Sequence, residues 1–144
     1  MPPFSRFPAD LAGGRLPTVV FVMPDLRHEM HSGPVRVADA WLRHLVGELQ
    51  ANPVWRQDTR LVVTFDEGTR HDVRSCCGGS GRGGRIATIV AGPMVPPGRD
   101  PVPYTHYSLL RSIEAAYGLG FLGRAGDPAT VTIPAVAHPS RGGA

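Results

Sequence analysis

RLVVTFDEG, Arg60 to Gly68, is an apolar run that ends in two adjacent carboxylates and a glycine. Leu61, Val62, Val63 and Phe65 are branched or aromatic, without polar alternation, and read as a buried strand. Asp66 and Glu67 then arrive together. Successive side chains on a strand point to opposite faces. For both carboxylates to serve one site, the chain has to leave the strand at Asp66, and Gly68 permits such a bend. Two acids at the carboxyl end of a buried strand suit a hard or borderline cation. The same pair also suits a solvated loop, where acids are common.

The rest of the chain narrows the choice. With 144 residues it is long enough for one domain with a real core and too short for two ordinary ones. Hydrophobic residues make up 42% and charged residues 19%, a globular balance rather than a disordered one. Gly 18 and Pro 15 imply many loops. The net charge is +3, and all 15 basic residues are Arg, scattered along the chain as expected of a GC-rich genome. No dense basic run with interleaved aromatics occurs, so a nucleic-acid groove is not indicated. Arg contact with the phosphate of a small substrate stays open. MPPFSRFPADLAGG lacks the apolar core of a signal peptide, and no run is long and apolar enough for a transmembrane helix. Localisation is left undefined. Cys76 and Cys77 are neighbours, a spacing that disfavours a mutual disulfide and makes no metal motif by itself.

Upstream, Pro2 to Gly14 reads as irregular. Leu16 to Met23, LPTVVFVM, reads as a second buried strand, stopped by Pro24 and followed by Asp25. The loop from Asp25 to Pro34 holds Asp25, His28, Glu29 and His31, groups that bind metals or move protons. Its plainer reading is a polar surface loop. Val37 to Gln50 is expected as a helix, because Trp41, Leu42, Leu45, Val46 and Leu49 share one face. His44 lies off that face, as a surface residue. Asn52-Pro53 ends the helix.

Downstream, Thr69 to Gly84 is a long glycine-rich loop containing His71 and Asp72. Arg85 to Ala91 reads as a third buried strand. A helix is expected from about Tyr107 to Tyr117, with Thr105 as cap and Gly118 just past its end. His106 stands before that helix, where backbone N–H groups favour an anion. A lone histidine there is also an ordinary structural hydrogen-bonding residue. From about residue 124 to Ala144 a loose tail is expected. Apolar strands separated by crossovers predict an α/β fold, with a mostly parallel sheet and flanking helices. In such sheets the ligand site lies beyond the carboxyl ends of the strands, where Asp25, Asp66 and Glu67 fall.

The stretches LPTVVFVMPDLRHEMHSG, DAWL, VVTFDEG, GGRIATIVAGPMVPPG and YTHYSLLRSIEAAYGLGFLG, in this order, resemble the phosphoesterase family. That family includes bacterial phospholipases C and acid phosphatases and belongs to the alkaline phosphatase superfamily. The resemblance runs from about Phe7 to Ala125. It implies a partial alkaline-phosphatase-like sheet and metal-assisted hydrolysis of phosphoric esters. Asp66 and Glu67 match its metal-binding acidic pair, and His106 and His31 match active-site histidines. Asp25 and Glu29 fall in the loop that supplies further metal ligands, although relatives tend to read N-D-M-H where this chain has His28-Glu29-Met30-His31. The cation expected is divalent: Zn, Mg, Ca or Mn.

The resemblance also implies an upstream Glu-Asn motif and a Ser or Thr nucleophile, with no counterpart before Leu16. The chain is therefore expected to be one partial phosphoesterase domain, the C-terminal portion of such an enzyme. A phosphate-ester small molecule or a phospholipid head group is the expected ligand. The alternatives are an inactive remnant and a metal- or phosphate-binding module; an Arg-rich nucleic-acid binder ranks below both. Oligomeric state is left open.

Overall fold

The computed structural model describes residues 3–69, 71–74 and 83–137. Met1–Thr59 and Arg60–Ala144 form two compact units.

In the first unit a 3-10 turn, Phe4–Arg6, leads into α1, Phe7–Ala12. Pro8 sits in the first turn of α1, where its missing N–H costs nothing. Phe4 stacks on Phe7 at 5.5 Å and tilts against Trp41 at 5.4 Å. Helix α2, Val35–Ala51, buries Leu45 and Leu49, while α1 buries Phe7 and Leu11. Asn52 then does two things. Its side-chain oxygen caps α3, Pro53–Asp58, by accepting the Val54 N–H at 3.0 Å, and its amide donates to Leu11 O at 3.2 Å. The Asn-Pro signal that stops α2 thus also starts α3.

In the second unit β1, Leu61–Thr64, pairs antiparallel with β2, Thr88–Ala91. Leu61 faces Ala91 and Thr64 faces Thr88, whose hydroxyls bond across the pair at 2.9 Å. Helix α4 runs His106–Ala116. Thr105 caps it in a capping box: its hydroxyl accepts the Ser108 N–H, and the Ser108 hydroxyl accepts the Thr105 N–H. Gly118, at φ 63°, follows the helix as expected. Buried Ser112 donates to Ser108 O at 2.6 Å and accepts the Ile133 N–H at 2.7 Å. That ties α4 to the segment entering α5, Pro134–Ala137.

The expected mostly parallel α/β sheet is not what forms. The fold is mostly helical, with one two-stranded antiparallel sheet and no parallel pair among the described residues. The reason is the connection. A parallel pair needs a crossover, whereas the described residues after β1 and before β2 run back alongside each other, with Gly68 N–H on Gly83 O. Leu16 to Met23 is irregular, with a bend at Thr18 and Val19, and belongs to no strand; Phe21 is 72% exposed. An apolar run supplies strand propensity; the ladder needs a neighbour. The strands are correspondingly less buried than expected, with β1 half-buried and Ile89 of β2 60% exposed. Pro2 to Gly14, expected as irregular, contains α1. The stretch expected as a loose tail holds a 3-10 turn, Gly123–Gly126, and α5, with Ala125, Ile133 and Val136 buried. Cys76 and Cys77 lie outside the described residues.

Candidate functional site

The second unit brings three of the sequence-derived candidates together. Strand β1 ends at Thr64, and the chain bends at Asp66 with both Asp66 and Glu67 exposed. Asp66 Oδ1 accepts the Glu67 N–H at 2.9 Å, which stiffens the turn. His106, the first residue of α4, reaches this turn: its Nε2 lies 2.9 Å from Asp66 O. A carbonyl oxygen only accepts, so Nε2 carries the hydrogen and Nδ1 is the ring atom left for other work. α4 and the strand-end turn are therefore pinned to one another through the histidine and the acidic pair.

Gly68 completes the turn, for want of room. A Cβ there would stand 2.8 Å from Arg85 O and 3.1 Å from Arg85 N. The Gly68 N–H donates to Gly83 O at 2.6 Å. The chain after Glu67 and the chain before β2 thus run against each other as a continuation of the β1–β2 hairpin. Asp72 fixes them. It accepts the backbone N–H of Arg74 at 3.1 Å and of Arg85 at 2.9 Å, and it pairs with the Arg74 guanidinium. The Arg74 guanidinium, with these two N–H groups, holds the Asp72 carboxyl far below the usual carboxylate range.

The first unit holds the other candidates in the loop between Met23 and α2. Asp25 Oδ1 accepts the N–H of Arg27 at 3.1 Å and of His28 at 3.0 Å, and lies 2.6 Å from His28 Nδ1. The His28 side chain, then its backbone N–H, draws the Asp25 carboxyl below its ordinary pKa. The ring of His28 tilts towards Trp41 at 6.3 Å. Ser32 N–H closes the loop on Leu26 O at 2.8 Å, and Met30 takes φ 73°, a left-handed conformation costly for a large side chain. Glu29 and His31 are exposed on either side of it. The sequence marks His28 as one of this loop's metal- or proton-binding groups but not as the partner of Asp25, although an Asp three residues before a His in a turn is the spacing that lets the pair meet. Sequence reasoning passes over Asp72 as a site residue.

Within neither unit do three His, Cys, Asp or Glu side chains converge as a metal cluster among the described residues. Three or four protein ligands, the pattern of a zinc site, are not assembled there. Two adjacent exposed carboxylates do suit a hard cation such as Mg²⁺, which keeps several waters and takes further oxygens from phosphate.

A model of the phosphoesterase family matches residues 1–120. The chain belongs to the phosphoesterase family. Among its relatives is a phosphatidylinositol-3-phosphatase of Mycobacterium tuberculosis, 37% identical over 131 residues, or 90% of this chain and 40% of the relative. An acid phosphatase of Aspergillus niger is 31% identical over 125 residues, 84% of this chain and 28% of its own length. A phosphate-repressible acid phosphatase of Penicillium chrysogenum is likewise 31% identical, with the same coverage. This phosphoesterase chain thus spans well under half the length of the curated relatives it matches. No solved structure matches it. No helix among its described residues is long and apolar enough to cross a membrane.

Proposed function

We propose that this phosphoesterase chain carries part of a site that hydrolyses phosphoric esters, with Asp66 and Glu67 holding a hard divalent cation. The observation that carries the reading is the hydrogen bond from His106 Nε2 to Asp66 O, which sets an imidazole beside the acidic pair. The cation would offset phosphate charge when bound. The exposed carboxylates of Asp66 and Glu67 would hold it. His106 keeps its Nε2 hydrogen on the Asp66 carbonyl and works through Nδ1. As imidazole, Nδ1 accepts a proton from attacking water; as imidazolium, it gives one to the leaving oxygen. In the first unit His31, Glu29 and Asp25 are candidates within their own loop for contact with a metal ion or phosphate. Asp25 acts there through His28, whose ring it orients. The name of the mycobacterial relative makes phosphatidylinositol 3-phosphate a substrate to try, beside a generic phosphate ester.

The test is release of nitrophenol from phosphate mono- and diesters with Mg²⁺, Mn²⁺, Ca²⁺ and Zn²⁺ in turn. Asp66→Ala is expected to lower the rate by about a hundredfold or more. No rate above background with any of the ions overturns the reading. A second reading is binding of the cation without turnover. It expects cation-dependent thermal stabilisation that survives when turnover is nil.

A further inference from the structure

We propose that Asp72 is the positioning residue of the Asp66–Glu67 turn, acting as a latch between the two arms of the hairpin that carries it. The inference rests on the reading of Asp66 and Glu67 as cation ligands. One arm runs from Phe65 to Arg74 and the other from Gly83 to Ala87. Beyond the strands, two backbone bonds join the arms among the described residues: Gly68 N–H reaches Gly83 O at 2.6 Å, and Gly84 N–H reaches Arg74 O at 2.9 Å. Asp72 adds a side-chain link to these. Its Oδ2 accepts the Arg85 N–H of the opposite arm at 2.9 Å. Its Oδ1 accepts the Arg74 N–H at 3.1 Å, and Arg74 Nε lies 2.8 Å and 3.0 Å from the two oxygens.

The chain of support is short. Asp72 holds Arg85; two residues back, Gly83 O holds the Gly68 N–H; Gly68 follows Glu67 directly. A Cβ on Gly84 would stand 3.0 Å from Asp72 Cβ, so the second arm lies hard against the latch. The side chain of Asp72 is 16% exposed, whereas Asp66 and Glu67 are exposed. The three acids of this hairpin therefore differ: Asp66 and Glu67 are exposed, the Asp66 carboxylate bonding within its own turn, whereas Asp72 is mostly covered and bonds to both arms. A carboxylate suits that post because both oxygens only accept. A carboxamide would put an NH₂ against the donors of Arg74 or Arg85 and lose at least one bond.

The experiment uses the whole chain and Tb³⁺ as the probe, read by luminescence. Binding curves give affinity, and lifetimes in H₂O and D₂O give the number of waters on the ion. Asp66→Asn and Glu67→Gln are expected to abolish binding. Asp72→Asn is expected to weaken it about tenfold, the low end of the effect of removing a residue that orients a ligand. The bound ion should gain about one water, since a hard cation replaces a lost oxygen ligand with solvent. A latch of purely structural value would leave the hydration number unchanged. Arg74→Gln keeps the Asp72–Arg85 bond and is expected to lose only about two- to threefold, so the idea stays testable if Asp72→Asn folds poorly. Faster hydrogen exchange at the Gly68 amide is expected in both. If Asp66→Asn abolishes binding while Asp72→Asn matches the parent in affinity and hydration, the latch is refuted and the cation reading stands. If the parent binds no Tb³⁺, or Asp66→Asn binds as well as the parent, both fall together.

Discussion

At the scale of the residue, the two candidate loops show acids used in two ways. Asp66 and Glu67 are exposed, with one Asp66 oxygen on the Glu67 N–H; Asp25 is exposed too but meets the His28 side chain, and Asp72 bonds to both arms of its hairpin. For Asp25 the direction of the effect on stability follows from its lowered pKa. The folded form binds its proton less readily than the unfolded chain, whose carboxyl has the ordinary value of 3.8. The His28 link therefore contributes in full above that value and is lost as pH falls through the lower, folded value. Carbonyl-carbon NMR is expected to find the Asp25 midpoint below 3.8, and His28→Ala to return it towards 3.8. A midpoint that ignores the His28 change would show that the 2.6 Å contact is not made in solution. In the sequence, Asp66, Glu67 and His106 could be picked out by type and position. That His106 addresses a backbone carbonyl of the same turn could not, because the two are 40 residues apart.

At the scale of the element, α4 depends on hydroxyls at its start and middle. Thr105→Ala removes the capping box and is expected to cost about 1 kcal/mol by thermal or denaturant melting. Ser112→Ala strands the buried Ile133 N–H and is expected to cost about 1–3 kcal/mol, more than the exposed control Tyr117→Ala. Equal losses at the two serine and threonine positions and at the control would remove the argument. The helices α2 and α4 were legible because apolar spacing and caps act within a few residues of one another. Helices α1 and α3 were not, since Pro8 and Pro53 read as breakers, yet each sits in a first turn where proline is compatible. The strands β1 and β2 were legible as strands. Their antiparallel pairing was hidden, because an apolar run without alternation says that a strand wants cover and not which way its neighbour runs.

At the scale of the molecule, apolar surface is the dominant feature that the fold leaves open. Phe21, Met23, Leu26, Ile89 and Leu122 are all exposed. Exposed apolar side chains, of which Phe21, Met23 and Leu26 lie close together in sequence, favour association when concentration allows. Light scattering across a concentration series is expected to show self-association, reduced in the double variant Phe21→Ser, Met23→Ser. A monomer at all concentrations in both would contradict it. Membership of the phosphoesterase family was legible in the sequence, because it rests on motifs whose order and spacing survive in the chain itself. So were the acidic pair at a strand end, the histidine before α4, and the two longer helices. Only the tertiary structure decided that β2 returns antiparallel on β1, that Leu16 to Met23 joins no strand, that Asp72 accepts the Arg85 N–H, and that His106 addresses Asp66 O. The physical reason is range. Helical periodicity, caps and turns are settled by neighbours a few residues away, whereas a strand ladder, a carboxylate's choice of donor and a histidine's choice of acceptor are settled by whatever folding brings alongside.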